Sequence, residues 1–160
     1  MVTSILDNDM ELSALCLAED RYKKFWEDPI NTINSIVAEQ TRSDGEEFSF
    51  ILSDEEVQQR IWKAQIKNLF PLIESYRGEF VSKYLAAIEK VLPISSSNGE
   101  QFTKPHEVEI GTLYYMACNG DIDVNSQDFK RLKCFKEARN KLAHIEVLRF
   151  KEIEELFKWI

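Results

Sequence analysis

The chain has 160 residues, a formal net charge of −8, 44% hydrophobic side chains and 30% charged ones. That is the size of one ordinary domain and the balance of a globular protein, and roughly 70% of its unfolded surface can be buried without metal or disulfide staples. Five glycines and four prolines are too few for a turn-rich β sandwich, and no apolar run approaches the ~20 residues of a membrane span.

The amino-terminal residues, Met1 to Met10, are acidic and lack the basic-then-apolar order of an export signal. From about Asp9 to Glu27, Leu12, Leu15, Cys16, Tyr22, Phe25 and Trp26 fall at helical spacing and predict one helix. Pro29 opens a second, striped by Ile30, Ile33, Ile36 and Val37, and Thr41 to Gly45 is a loop by composition. Phe48 to Leu52 is the best candidate for a strand. Ser53 and Glu56 have the spacing of a capping box. A long helical pattern follows toward Leu92, interrupted by Pro71 and Gly78; Pro71 should kink or divide it and Pro93 should stop it.

Ile94 to Lys104 reads as a polar loop. A helix is expected from Pro105 to Cys118, with Asn119-Gly120 as its stop. Ser126 can cap the next, which carries Phe129, Leu132, Phe135, Ala138 and Leu142; a last helix starts near Phe150 and runs to the end. The expected architecture is all-α, a bundle of four or five main helices over residues 51–160. Residues 1–50 form a helical extension, part of the same domain or a docking segment. Still amphipathic at its last residues, the chain reads as a piece of a longer polypeptide.

Three cysteines, Cys16, Cys118 and Cys134, are odd in number and far apart, and only His106 and His144 are present. Neither a disulfide framework nor a metal knuckle is expected, and a reduced, cytoplasmic setting is the simplest reading. The acidity excludes a non-specific nucleic-acid coat. It is uneven, however: residues 126–160 hold nine basic and six acidic side chains, residues 1–125 eleven and twenty-two. Six of the basic residues lie between Lys130 and Lys141, a local cationic patch on an acidic body.

On a helical wheel of that late helix, Arg139 falls beside Leu132 and Phe135 on the apolar seam. A cation there requires a carboxylate, a phosphate or a route to water. Asn140 and His144 share an adjoining strip with Lys133 and Lys136. A guanidinium fork for phosphate oxygens and an imidazole that titrates near neutrality are the parts needed to cleave RNA without a metal, since RNA carries its own 2′-hydroxyl nucleophile. Tyr114 and Tyr115 read as core and rim, His106 as a surface residue, and the three tryptophans as packing.

The run Glu137-Ala-Arg-Asn-Lys-Leu-Ala-His144 resembles the HEPN superfamily, whose signature is Arg, four to six residues, then His, often with Asn directly after the Arg. The resemblance rests on the six residues from Arg139 to His144. It implies an all-helical bundle, metal-independent endoribonuclease activity in toxin–antitoxin, phage-defence or RNA-processing systems, and a dimer in which two motifs meet in one cleft. By that resemblance Arg139 and His144 are catalytic and Asn140 orients them or contacts the phosphate. Lys130, Lys133, Lys136 and Lys141 supply the grip on RNA, and an antitoxin or larger effector is the expected regulator or partner. Some toxin members carry Tyr two residues after the His; Glu146 stands there in this chain, which sets it apart from that subclass. The alternative is a non-catalytic helical dimerisation or RNA/nucleotide-binding module of a larger protein. Arg139 and His144 lie about 140° apart around an ideal helix, so either the helix ends or bends near Leu142 or the site is shared across a two-fold axis.

Overall fold

The computed structural model describes residues 1–49, 53–96 and 99–159. Among them are nine α-helices and one two-stranded sheet: α1 (Val2–Ile5), α2 (Met10–Cys16), α3 (Tyr22–Glu27), α4 (Pro29–Glu39), α5 (Asp54–Lys83), α6 (Leu85–Val91), β1 (Ile94–Ser95), β2 (Gln101–Phe102), α7 (Ile110–Asn119), α8 (Ser126–Ala143) and α9 (Phe150–Phe157). The fold is all-α, as expected. Four of the helices, α4, α5, α7 and α8, have ten residues or more.

The helix expected over Asp9–Glu27 is instead two, α2 and α3, separated by residues 17–21. Cys16 and Phe25 are both fully buried. On one straight helix they would point about 180° apart, so the chain must turn to bring both into one core. Asp9 starts α2 by accepting from the Leu12 amide at 3.0 Å, and Asp28 caps α4 with Pro29 in its first turn. The capping box forms as read: Glu56 N donates to Ser53 Oγ at 3.3 Å and Ser53 N to Glu56 Oε2 at 2.8 Å.

Neither Pro71 nor Gly78 divides α5, which runs 30 residues through both. The proline and Lys67, whose carbonyl it cannot serve, are both exposed, so the missing bond falls on the solvent side of the helix and not in the core. The interruption comes at Tyr84 instead, where α5 gives way to α6. The Tyr84 hydroxyl donates to Asp128 Oδ2 at 2.5 Å, which ties this joint to the start of α8.

The expected polar loop over 94–104 contains the antiparallel pair Ile94↔Phe102 and Ser95↔Gln101, anchored by buried Phe102; Gly99 supplies a turn φ of +81°. The strand expected at Phe48–Leu52 does not appear in its described part, where Phe48 is buried and the neighbouring Glu47 makes an isolated bridge to Thr41; residues 50–52 lie outside the described residues. Pro105 opens a short 3-10 turn, not the α-helix, because the Glu107 carboxylate accepts from the Thr103 and Lys104 amides and closes the chain there. The helix α7 begins five residues later and ends, as read, at left-handed Gly120. Asn125, not Ser126, caps α8, accepting from the Gln127 and Asp128 amides at 3.1 and 2.9 Å.

Two apolar cores share α5. Val57, Ile61 and Ala64 on its first half pack with Val2, Ile5, Leu12, Phe25 and Ile33 of the amino-terminal helices. Leu69, Ile73, Tyr76 and Phe80 on its second half pack with Leu113, Leu132, Phe135 and Leu156. An edge-to-face pair, Tyr22 and Phe150 at 5.9 Å, joins α3 to α9.

Candidate functional site

Leu132, Phe135, Ala138 and Leu142 form the buried stripe of α8, as the wheel predicts. Helices α7 and α9 both pack against α8, and this divides the basic residues. Arg139, Asn140 and Lys136 line a cavity of about 700 Å³ together with Tyr114 and Tyr115 of α7 and the β1 hairpin residue Ser95. Lys130 and Lys133 line a separate groove of about 420 Å³ with Lys151 and Glu155 of α9. Lys133 pairs with Glu137 at 3.9 Å. Lys141 pairs with Glu152 of α9. Burial pushes the Glu152 carboxyl up, but the Lys141 ammonium and the Arg149 amide outweigh it and hold its pKa below the ordinary value. Of the four lysines expected to grip RNA, only Lys136 shares the cavity of Arg139.

The guanidinium of Arg139 is one-third exposed, and its nearest carboxylate is the half-exposed Glu109 at 3.7 Å. It thus has both a route to water and a loose anionic partner, without being neutralised internally. Arg139 also borders a smaller cavity of about 170 Å³ that includes exposed His106 and Arg77; Arg77 donates to the His106 carbonyl at 2.9 Å. Lys136 lies 5.1 Å from the centroid of the Tyr114 ring, which also stacks on Phe129 at 5.4 Å. Tyr114 is half-buried and Tyr115 exposed.

At the carboxyl end of α8 the helix stops one residue after Leu142, and His144 is the C-cap. Glu146 N donates to the Lys141 carbonyl at 2.9 Å and Ile145 N to the Leu142 carbonyl at 3.3 Å, the Schellman pattern. Ile145 takes the left-handed position, φ +63°. Two side chains of α5 hold this end. Trp62 Nε1 donates to the Leu142 carbonyl at 2.7 Å. Gln65, fully buried, donates to the Leu148 carbonyl at 2.8 Å and accepts from the Leu148 amide at 2.7 Å. His144 itself is exposed and lies outside the cavity that Arg139 and Asn140 line. A single chain therefore joins Arg139, Asn140 and Lys136 in one cavity and leaves His144 at the helix tip.

The sequence reading gave no role to Gln65, Glu109 or Arg131. The Arg131 guanidinium lies 4.5 Å from the Tyr76 ring centroid and 5.6 Å from that of Phe135, and it reaches Glu79 at 3.5 Å. Its i, i+4 spacing to Phe135 was visible; its partner on α5 was not. Among the described residues no group of three or more His, Cys, Asp or Glu is placed to hold a metal ion, and no helix is long and apolar enough to cross a membrane. No family model, curated protein or solved structure matches this chain.

Proposed function

We propose that the chain is a metal-independent endoribonuclease of the HEPN type that acts on intracellular RNA as a homodimer. The observation that carries this reading is the setting of Arg139, which reaches a solvent-open cavity and, among the described residues, pairs with one loose, exposed carboxylate. A guanidinium committed to a structural pair would be buried against an internal acid. In the proposed reaction the RNA 2′-hydroxyl attacks the adjacent phosphorus. His144 takes the hydroxyl proton, Arg139 stabilises the phosphorane oxygens, and the 5′-oxygen leaves with the proton that His144 has taken up and returns, giving a 2′,3′-cyclic phosphate and a 5′-hydroxyl. Asn140 orients the phosphate. His144 at the tip of α8 comes from one protomer and Arg139 from its partner, which resolves their angular separation on the helix. A toxin or phage-defence role, with an antitoxin or larger effector holding the activity in check, fits such an enzyme.

The test is RNA cleavage in excess chelator by the purified chain, beside His144→Ala and Arg139→Ala, on structured and single-stranded RNAs. Each variant should lose at least about a hundredfold in rate, and the wild-type products should carry cyclic phosphate ends. Mixing the two inactive variants should restore about a quarter of the wild-type rate, since half the dimers are mixed and each has one intact shared site. Equal cleavage by wild type and His144→Ala overturns the assignment.

The net charge of −8 and the turning of Lys130, Lys133 and Lys141 away from Arg139 favour a second reading, a non-catalytic helical dimerisation or RNA/nucleotide-binding module of a larger protein. Binding without cleavage in the same assay would select it.

A further inference from the structure

The cavity between α7, α8 and the β1–β2 hairpin is larger than a phosphate needs. At about 700 Å³ it falls in the range of pockets that enclose a whole small ligand, roughly 300–1,000 Å³. Tyr115 lines it and is 58% exposed, an aromatic face open to solvent at the rim. Tyr114, held between Phe129 and Lys136, makes a firm wall behind it.

Thr112 lines the cavity and is only 9% exposed, and among the described residues its hydroxyl makes no hydrogen bond. It lies in the first turn of α7, a ten-residue helix whose N-cap residue, Glu109, makes no side-chain bond to the amides. Those first-turn amides and the positive end of the helix favour an anion. Lys136 and Arg139 bring two cations to the same space, which Glu100 and Glu109 also line with their carboxylates. The Glu109 carboxylate, 3.7 Å from Arg139, occupies the anion's side of that arrangement and is exposed enough to swing away.

We infer that this cavity is a subsite for one unstacked nucleotide of single-stranded RNA. Its base stacks on Tyr115, and its phosphate lies between Arg139, Lys136 and the Thr112 end of α7. The inference rests on the RNA-cleaving reading of Arg139 and adds the residue that receives the base, Tyr115, which can stack only on a base free to leave a duplex. Glu109 is an internal competitor for the phosphate.

The experiment is fluorescence anisotropy with a labelled single-stranded RNA octamer, using the His144→Ala protein to prevent turnover. Adding Tyr115→Ala should weaken binding about 5- to 100-fold, while Tyr115→Phe should stay within about twofold of the parent. Glu109→Gln should tighten binding more than Glu137→Gln, an equal charge change away from the cavity. The same octamer annealed to its complement should bind more weakly and show no dependence on Tyr115. Unchanged binding in Tyr115→Ala, or an equal Tyr115 effect on duplex, overturns the subsite. Failure of the underlying reading looks different: a Tyr115-dependent octamer complex beside a silent cleavage assay leaves the subsite standing and removes the nuclease. Cleavage that needs His144, with no Tyr115 effect on binding, does the reverse.

Discussion

Ile145 is the residue whose conformation departs furthest from its type. A β-branched side chain at φ +63° crowds its own backbone, at a cost of roughly 1–2 kcal/mol. It is tolerated because the turn it closes satisfies the last carbonyls of α8 and sets His144 at the tip. Ile145→Gly should therefore raise stability by about 1 kcal/mol in denaturant unfolding; a loss would show that the exposed side chain contributes more than the strain removes. Other residues have roles set at a distance. Gln65 looks like one more polar residue on a long helix, yet it is fully buried because both its amide atoms are matched to the Leu148 backbone. Its partner lies 83 positions away, so no local pattern announces it. Arg139 is the opposite case: a cation on an apolar seam is visible in the sequence, and the requirement for an anion or water follows at once.

At the scale of elements, starts and stops were legible where capping chemistry is local. Ser53 with Glu56, Pro29 and Gly120 all stand where the residue types place them. Breaks imposed by packing were not: the division of α2 from α3 and of α5 from α6 depends on which core each half must face. The α5–α6 joint is also where pH should act. Burial pushes Asp128 up, but bonds from Lys83, Tyr84 and Asn125 outweigh it and hold the carboxyl below its ordinary 3.8. Burial and the same carboxylate push the Tyr84 hydroxyl up to about 12. A lowered carboxyl stabilises the fold fully above its unfolded value and loses that contribution as pH falls through the folded one. Thermal unfolding from pH 5 to pH 2 should therefore show a shallower acid decline for Asp128→Asn than for the wild type. Parallel declines would mean that the cluster contributes nothing to acid stability.

On the scale of the whole molecule, α5 is the member common to both cores. Phe25 is fully buried in one and Phe135 99% buried in the other, so each truncation to alanine should cost about 3–5 kcal/mol. Because a continuous helix couples the two cores, both variants should shift one and the same unfolding transition, followed by circular dichroism and tryptophan fluorescence together. Two separated transitions in Phe25→Ala would show that residues 1–49 unfold independently of the bundle.

The all-α class, the helix ends at Ser53, Pro29 and Gly120, the apolar stripe of α8 and the cation on its seam were determined by the sequence alone, because each follows from spacing and residue type within a few turns. Only the tertiary structure decided which lysines share a surface with Arg139, since α7 covers one flank of α8 and α9 the other. It also decided that His144 stands apart from Arg139 in a single chain, and that Glu109, Tyr115 and Thr112 meet Arg139 in one cavity. Those placements depend on contacts between segments far apart in the chain, where the packing of whole helices outweighs the preference of any single residue.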